Sequence, residues 1–476
     1  MKKHLLVTYA WSINNIGDMG IQGGLFSLLR EQAPGLPVKL VNYLPEKDPA
    51  FAHYKKVLPP YNPDGEVLPM PFFDLIGGDP LPDAASEAVR NAQIKGNAWR
   101  NFTARHGQVK LEQFRNGTVS CREAEEITED LLDRFPLEIM EDLKVHFPEL
   151  AEAFAGAGFV YYNSGTTLNF GRLGVRRLFG YTLPLAMSLL LARALHIPYG
   201  IGSQSFDLIE WPVELLYDRL FRDAEFVYCR DTDSLNYLKQ KKFTFKKLDF
   251  RPDTTVFFRG GDEAWKETFF RRTGLEKEKF MTVVLRISAP KPKYHDPTGG
   301  AVSPERCRRQ MEQMKYLIEN HIARTNQKVL IAHETRDTLE DARTHLYDIL
   351  SPEAREKTVY LGEFWTPEQA LSVYRDSSLL VSVEMHSIIL AVGNAVPFIH
   401  APYAECGRKR QMVRDMGLGE FLTDLDDPDA GPKMLELAQK ILRERSALRA
   451  RLEATREKLA ILSARSMNEV TSYFGK

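Results

Sequence analysis

The chain has 476 residues, of which 43% are hydrophobic, and its formal net charge at pH 7 is -1. This length exceeds what one hydrophobic core usually supports, so we expect two domains. A nearly neutral chain has no general attraction to nucleic acid or to anionic membranes. The apolar runs are too short for a membrane span or a signal peptide, and the four cysteines lack metal or redox spacing. We therefore expect a cytoplasmic protein with reduced thiols.

The first fifty residues alternate between strand and helix signals. The predicted order is strand Leu5–Tyr9, glycine-rich turn Asn14–Asp18, helix Leu25–Glu31 and strand Val38–Val41. This order is typical of the start of a parallel, doubly wound sheet. From about residue 45 to 155 the alternation stops, and we predict an insertion whose second part is helical. Ser120 and Glu123 have the spacing of a capping box at one of its helices.

The alternation resumes and continues through the rest of the chain. Predicted strands are Gly158–Tyr162, Pro198–Ile201, Phe226–Cys229, Met281–Leu285, Lys328–Ala332, Thr358–Leu361, Ser378–Val381 and Val396–His400. Predicted helices are Leu183–Leu195, Val213–Phe221, Thr232–Lys239, Pro304–Thr325, Leu339–Leu350, Pro367–Tyr374 and Arg408–Met416. We predict two doubly wound α/β domains, residues 1–260 and 275–430, with a polar linker at Arg259–Lys279 and a helical segment at 431–476.

Polar residues follow the predicted strands of the first domain. They are Asn15, Gly17 and Asp18 after the first strand, Ser164 and Thr166 after the next, then Gln204 and Arg230. Open parallel sheets build ligand sites at these strand ends, and glycine lets main chain approach a ligand closely. Each loop alone is weak evidence, because turns of this composition are common.

Three strands of the second domain end in Arg286, His333 and His386. Arginine binds carboxylate or phosphate bidentately, and histidine titrates near neutrality. His386 also opens a helix, whose free N–H groups and dipole favour an anion. A lone histidine at this position would more often only satisfy local hydrogen bonds, but together the three residues predict an anion-binding site with a proton donor or acceptor. No Walker loop, Gly-x-Gly-x-x-Gly motif or metal cluster occurs, so hydride transfer and nucleotide hydrolysis lack support.

Several short segments resemble those of one known family, and they occur in the same order. They are Asn15–Asp18, Gly202–Ser205, Cys229–Ser234 with Pro252–Asp253, and Met385–Ala391 followed by Gly393, Pro397 and Tyr403. Through them the chain resembles the polysaccharide pyruvyl transferase family. The resemblance implies two Rossmann-like domains of glycosyltransferase-B type. It also implies transfer of a carboxyvinyl-derived group from phosphoenolpyruvate to sugar hydroxyls of a polysaccharide or its lipid-linked precursor, as in exopolysaccharide and cell-envelope biosynthesis.

The resemblance also implies roles for individual residues. Arg230 would hold the donor's phosphate or carboxylate. His386 would protonate the enol carbon or assist the departure of phosphate. Asp18 would orient or deprotonate the acceptor hydroxyl, unless it only stabilises its turn. A positioned acid and fixed cations suffice for this chemistry, so we expect neither a metal nor a cofactor.

The chain departs from the family pattern at two positions near His386. Glu384 stands where the family usually has arginine, which places a like charge beside a trianionic donor. Cys406 stands where a basic residue is usual, with Arg408 and Lys409 as nearby substitutes. The predicted donor contacts are Arg230, Arg286, His333, Ser387, Arg408 and Lys409. The predicted acceptor contacts are Asn15, Gly17, Ser164, Thr166, Gln204 and Glu384.

Two other functions remain open at this point. The same fold could serve a glycosyltransferase that uses a nucleotide sugar, with Glu384 binding ribose hydroxyls. The chain could also be a catalytically silent protein that binds glycans or a partner. Two interaction hypotheses accompany these functions. One is a peripheral membrane contact through Arg172, Arg176 and Arg177, for which a solvated basic loop is the simpler interpretation. The other is a homo-oligomer formed through the C-terminal helical segment, which could instead pack back across the first domain.

Overall fold

A computed structural model describes residues 3–10, 12–42, 46–77, 94–168, 178–287 and 303–475. The chain forms two compact units. Unit 1 comprises Met1–Ile13, Leu28–Asp253 and Ser463–Lys476, and unit 2 comprises Asn14–Ser27 and Thr254–Leu462. Each unit contains one parallel sheet with helices, so the predicted α/β class is confirmed. Arg172, Arg176 and Arg177 lie outside the described residues.

The sheet of unit 1 has seven strands, all paired in parallel. They are β1 (His4–Ala10), β2 (Val38–Asn42), β3 (Glu66–Pro69), β4 (Ala157–Tyr162), β5 (Tyr199–Gln204), β6 (Phe226–Cys229) and β7 (Leu248–Phe250). Their order in space is β3-β2-β1-β4-β5-β6-β7. The central strands are apolar along their whole length because both faces of a parallel sheet are covered. The order reverses between β1 and β4, which is the switch point of the sheet.

The described residues up to 240 form the helices given next, several of which belong to the predicted insertion. They are α1 (Ile16–Gln32), α2 (Pro49–Val57), α3 (Phe72–Leu75), α4 (Ala98–His106), α5 (Gln108–Asn116), α6 (Cys121–Leu132), α7 (Arg134–His146), α8 (Pro148–Gly156), α9 (Leu183–Ala194), α10 (Val213–Asp223) and α11 (Thr232–Gln240). Ser120 caps α6 by accepting the Glu123 N–H at 3.3 Å. The predicted insertion is largely helical, but it also supplies the edge strand β3, which pairs with β2.

The sheet of unit 2 has five parallel strands. They are β8 (Phe280–Leu285), β9 (Lys328–His333), β10 (Thr358–Tyr360), β11 (Leu379–Ser382) and β12 (Phe398–His400). Their order is β10-β9-β8-β11-β12, so the switch point lies between β8 and β11. Leu285 pairs with His333, and Ser382 pairs with Val284. The carboxyl ends of β9, β8 and β11 therefore lie side by side.

The other described helices follow residue 260. They are α12 (Glu263–Thr273), α13 (Pro304–Thr325), α14 (Leu339–His345), α15 (Pro352–Glu356), α16 (Pro367–Asp376), α17 (Met385–Gly393), α18 (Lys409–Asp415), α19 (Ala430–Arg443) and α20 (Arg445–Thr471). Helix α12 occupies the predicted polar linker, because Asp262 caps it and the left-handed Gly274 ends it. None of the helices in the described residues is both long and apolar enough to cross a membrane.

Helix α1 begins at Ile16, earlier than the predicted start at Leu25. Its glycines explain the difference. A Cβ on Gly20 would lie 3.2 Å from the Thr255 methyl group, and one on Gly24 would lie 1.9 Å from the Thr254 carbonyl oxygen. The first half of the helix thus packs closely on main chain of unit 2. Gly20 and Gly24, which lie between the predicted turn and the predicted helix, form its contact face.

We predict that Gly24→Ala destabilises unit 2 by about 1–3 kcal/mol, because the new methyl group would collide with the Thr254 carbonyl, which is main chain and cannot swing aside. Urea unfolding followed by circular dichroism measures the change. Gly20→Ala is the matched control, since its Cβ would meet only a side-chain methyl group. Equal midpoints for Gly24→Ala and the wild type would contradict the close packing.

Candidate active site

Polar side chains gather where three neighbouring strands of unit 2 end. Arg286 directly follows β8, Glu334 directly follows β9, and Glu384 lies two residues after β11. Because these strands are adjacent, their carboxyl ends form one edge of the sheet. We call this region, together with the first turn of α17, the unit 2 edge.

Helix α17 begins at the unit 2 edge and carries His386 in its first turn. Glu384 is the N-cap residue, with an extended backbone at φ -87° and ψ 140°. The Ser382 hydroxyl fixes this entry by accepting the Glu384 N–H at 3.0 Å and donating to the Glu384 carbonyl at 2.7 Å. The N–H groups of this first turn have no carbonyl acceptor within α17, so their hydrogen-bond partners must come from outside the helix.

Glu334 binds this first turn through both carboxylate oxygens. Its Oε2 accepts the Ser387 N–H at 2.7 Å and the Ser387 hydroxyl at 2.8 Å. Its Oε1 lies 3.1 Å from Nδ1 of His386. Glu334 and Ser387 are fully buried, and His386 is 8% exposed. The carboxylate is thus both a helix cap and a hydrogen-bond partner of the imidazole.

The residues that begin α1 pack against the same cluster. The Ile16 N–H donates to the Glu334 carbonyl at 3.0 Å, and the Asn15 side chain caps α1 by accepting the Gly17 N–H at 2.7 Å. A Cβ on Gly17 would lie 2.1 Å from Nδ1 of His386. Glycine is therefore required where the imidazole contacts this turn.

Asp18 is the third residue of α1 and is half-buried. An acidic side chain in the first turn of a helix is stabilised by the helix dipole. Asp18 directly follows Gly17, which contacts His386. Its catalytic role stays a prediction.

Glu384 lies between two cations. Its Oε2 accepts from Lys409 Nζ at 3.0 Å and lies 3.5 Å from Arg286 Nη1, and its side chain is 4% exposed. Burial acts to raise the pKa of Glu384, but Lys409 and Arg286 outweigh it and hold the pKa below its usual range. Glu384 in turn raises the pKa of Arg286. The Glu384 carboxylate therefore compensates the charges of Lys409 and Arg286, the two cations that the sequence predicted to contact the donor.

The segment around Cys406 completes this side of the edge. Cys406 is buried, and burial raises the pKa of its thiol, so it adds no charge beside Arg286. Lys409 is the first residue of α18, and Arg408 is the half-buried residue before it. Of these two predicted substitutes, Lys409 is the one that contacts Glu384.

Two histidines of unit 2 face its interior. His333 is fully buried, its Nε2 donates to the Leu361 carbonyl at 2.5 Å, and burial lowers its pKa. His400, the last residue of β12, is also fully buried, and its Nδ1 donates to the Ser382 carbonyl at 2.9 Å. Burial lowers the pKa of His400 to about 4. Both imidazoles donate to main-chain carbonyls at or just after strand ends. These contacts do not connect His333 to the His386 cluster, and its predicted contact with the donor stays a prediction.

In unit 1, the loop after β4 is held by the end of β5. The Gln204 side chain accepts the Thr167 N–H at 3.1 Å and donates to the Asn163 carbonyl. Gln204 and Ser164 are fully buried, and Thr166 is half-buried. The three residues predicted to contact the acceptor in unit 1 therefore lie together, with Gln204 engaged in positioning the loop.

Arg230 belongs to a buried network of unit 1. Its Nη1 donates to Asp253 at 2.7 Å and its Nε to the Ser205 hydroxyl at 2.9 Å, and the residue is 4% exposed. Ser205 also donates to Asp231 at 2.7 Å, and Asp231 caps α11. The charge of Arg230 is thus compensated within unit 1, and its predicted contact with the donor stays a prediction.

The structure brings half of the predicted site residues to the unit 2 edge or to the segments of unit 2 that pack against it. These are Asn15, Gly17, Arg286, Glu384, His386, Ser387 and Lys409. Ser164, Thr166, Gln204 and Arg230 lie in unit 1. The sequence did not predict Glu334 as a site residue. Its position directly after β9 was the one feature of the sequence that could have indicated it.

Two parallel α/β sheets in a two-domain chain define a protein of glycosyltransferase-B type, and solved structures share this fold. A UDP-N-acetylglucosamine 2-epimerase has a TM-score of 0.53 and 12% identity, over 100% of this chain and 97% of that one. A Medicago truncatula protein complexed with UDP-glucose has a TM-score of 0.51 and 11% identity, over 99% of both chains. The α,α-trehalose-6-phosphate synthase of Burkholderia multivorans has a TM-score of 0.50 and 12% identity, over 99% of this chain and 100% of that one.

Residues 27–405 match the polysaccharide pyruvyl transferase family, and the chain belongs to that family. The resemblance found from short motifs is thereby confirmed. No curated protein matches the sequence. The low identities to the solved structures establish the fold alone, so the chemistry has to be inferred from the family and from the site.

We predict that His400 makes the protein less stable in acid. Its pKa is about 4 in the folded state and 6.5 in the unfolded state, so only the unfolded state takes up a proton as the pH falls between those values. The free energy of unfolding should then decrease by about 1.4 kcal/mol per pH unit from this group. Urea unfolding of His400→Gln and wild type between about pH 4 and pH 7 should show a shallower decrease for the variant. If the free energy of unfolding fell equally steeply with pH in the variant and the wild type, the lowered pKa of His400 would be contradicted.

Proposed function

We propose that the protein transfers a pyruvyl group from phosphoenolpyruvate to two hydroxyls of a saccharide, releasing phosphate and forming a ketal. The acceptor class is a polysaccharide or its lipid-linked precursor. The supporting observation is His386 in the first turn of α17, at the sheet edge that carries Arg286, in a chain of this family.

The chemistry needs one acid and a site for anions. Protonated His386 gives its proton to the methylene carbon, whose double-bond electrons form the new C–H bond and leave a cationic centre at the carbon that bears phosphate. One sugar hydroxyl attacks this carbon, and phosphate leaves with the electrons of its C–O bond. A second hydroxyl then closes the ketal. Of the two hydroxyl protons, one replaces the proton that ends in the methyl group and the other leaves with phosphate.

Groups at the unit 2 edge suit the remaining tasks. Within the described residues, the side chain of Arg286 makes one hydrogen bond, at 3.5 Å to Glu384, and its other guanidinium donors are our candidates for binding carboxylate or phosphate. The first turn of α17 adds a positive dipole end. Asp18, next to Gly17, is our candidate for orienting the acceptor hydroxyl or accepting its proton. The acceptor contacts predicted in unit 1 stay predictions.

The nucleotide-sugar alternative is supported less well. It requires the Glu384 carboxylate to bind ribose hydroxyls, but that carboxylate is 4% exposed and is engaged by Lys409 and Arg286. The likeness to a protein complexed with UDP-glucose concerns fold alone at 11% identity. We therefore favour phosphoenolpyruvate as the donor.

We predict that His386→Gln lowers kcat for pyruvyl transfer about 100-fold or more, because the glutamine amide cannot supply the proton. The assay follows phosphate release from phosphoenolpyruvate in the presence of saccharide diols, and the ketal methyl group by proton NMR. His345→Gln is the matched control, since His345 is exposed at the end of α14. Phosphate release by His386→Gln at a near wild-type rate would contradict the acid role, and its absence in the wild type would contradict the function.

We predict that Glu384→Gln binds phosphoenolpyruvate and inorganic phosphate about tenfold more tightly, because Lys409 and Arg286 lose their resident anion. Isothermal titration calorimetry measures both affinities. Asp376→Asn is the matched control, since Asp376 also bridges two lysines, Lys266 and Lys277, but at the opposite end of β11. Unchanged or weaker binding by a folded Glu384→Gln protein would show that these cations do not bind the donor.

A further inference from the structure

We infer that Glu334 is a positioning residue for His386: it fixes which imidazole nitrogen carries the exchangeable proton and joins the two helix starts that hold the ring. The inference deepens the proposed function, since its kinetic consequences rest on the acid role of His386. Its geometry rests on contacts of unit 2 alone.

The first step concerns the tautomer of His386. An ionised carboxylate only accepts hydrogen bonds, so the nitrogen at 3.1 Å from Glu334 Oε1 must be the donor. Nδ1 therefore carries a hydrogen in both the neutral and the protonated ring. Nε2 is left as the nitrogen that gains and loses the proton used in chemistry. The negative charge of Glu334 also stabilises the imidazolium, which is the acid form.

The second step concerns the helices. The Glu334 carbonyl accepts the Ile16 N–H at 3.0 Å, while its carboxylate accepts the Ser387 N–H at 2.7 Å. A single residue thus satisfies one N–H group in the first turn of α1 and one in the first turn of α17. These are the two turns that touch the imidazole.

The third step concerns the freedom of the ring. Gly17 packs so closely on His386 that an added Cβ would lie 2.1 Å from Nδ1 and 2.3 Å from Cγ. The ring is therefore confined by Gly17 as well as by the hydrogen bond to Glu334. A rigid ring keeps the acid aligned with the carbon it protonates, which is how positioning lowers a reaction barrier.

A purely structural role would be different in kind. A carboxylate that only capped α17 would need the Ser387 N–H and no contact with the imidazole. Asp142 shows such a role in unit 1, because it caps α4 through the Asn97 and Ala98 N–H groups at 2.8–3.0 Å. Asp142 has no histidine among these partners, which makes it the matched control for Glu334.

The decisive variant is Glu334→Gln, which keeps shape and removes charge. Its amide oxygen can still accept from Ser387, and this orientation turns the amide NH2 group toward Nδ1 of His386. Nδ1 then has to accept, so the hydrogen moves to Nε2. We expect histidine-labelled NMR to show an Nδ1–H form in the wild type and an Nε2–H form in Glu334→Gln, with the signal assigned by its loss in His386→Gln.

The kinetic result should agree with the tautomer. We expect Glu334→Gln to lower kcat about tenfold or more with little change in KM for phosphoenolpyruvate, and to move the alkaline limb of the pH–rate profile to lower pH. Glu334→Asp, which keeps the charge, should restore the wild-type limb in part. Asp142→Asn should affect thermal stability but neither the His386 signal nor the pH profile.

Several outcomes would overturn the inference. An Nε2–H form of His386 in the wild type would do so without the Glu334→Gln variant, so the test survives if that variant fails to fold. A folded Glu334→Gln protein with an unchanged tautomer would reduce Glu334 to a helix cap. If the tautomer changes as expected while the wild type shows no pyruvyl transfer, Glu334 still positions His386 and only the proposed function fails.

Discussion

A carboxylate removed from water is stable only where donors surround it, and in the described part of the chain the donors to the Glu334 carboxylate lie in one helical turn. The rest of the unit 2 edge depends on this contact. It sets the start of α17 and the orientation of His386. Through the Glu334 carbonyl it also sets the start of α1, and this in turn demands glycine at position 17. One buried charge thus links three segments that are far apart in sequence.

The second buried carboxylate of the edge is compensated in another way. Glu334 is surrounded by N–H, O–H and imidazole donors, whereas Glu384 is paired with the full charges of Lys409 and Arg286. Breaking an ion pair of this kind by removing one partner leaves an uncompensated charge, which is costly in a buried site. In the proposed function, a donor anion at Arg286 or Lys409 would therefore compete with Glu384, and this residue would tune anion affinity as well as structure.

The fold could be predicted further than the site. Helix α13 has the predicted bounds because Ser303 and Pro304 mark its start locally, and β8, β9 and β11 appear as apolar runs. The start of α1 could not be predicted, because Gly17, Gly20 and Gly24 matter through distant partners. For the same reason the sequence did not predict Glu334 as a site residue. Its role depends on Ser387 and His386, which are distant in sequence, and no local pattern in the chain predicts that these residues meet Glu334.

In the proposed function, the charges of the unit 2 edge would connect donor binding to the protonation of His386. Arg286 and Lys409 contribute +2 and Glu334 and Glu384 contribute -2, so these four side chains sum to zero. His386 then decides whether the cluster is neutral or carries +1. An anion such as the proposed donor binds better to the positive form, and by linkage its arrival favours proton uptake by the imidazole. For the proposed reaction, the substrate itself would then help to generate the protonated histidine that it requires, and the fixed carboxylate at Nδ1 would direct that proton to Nε2.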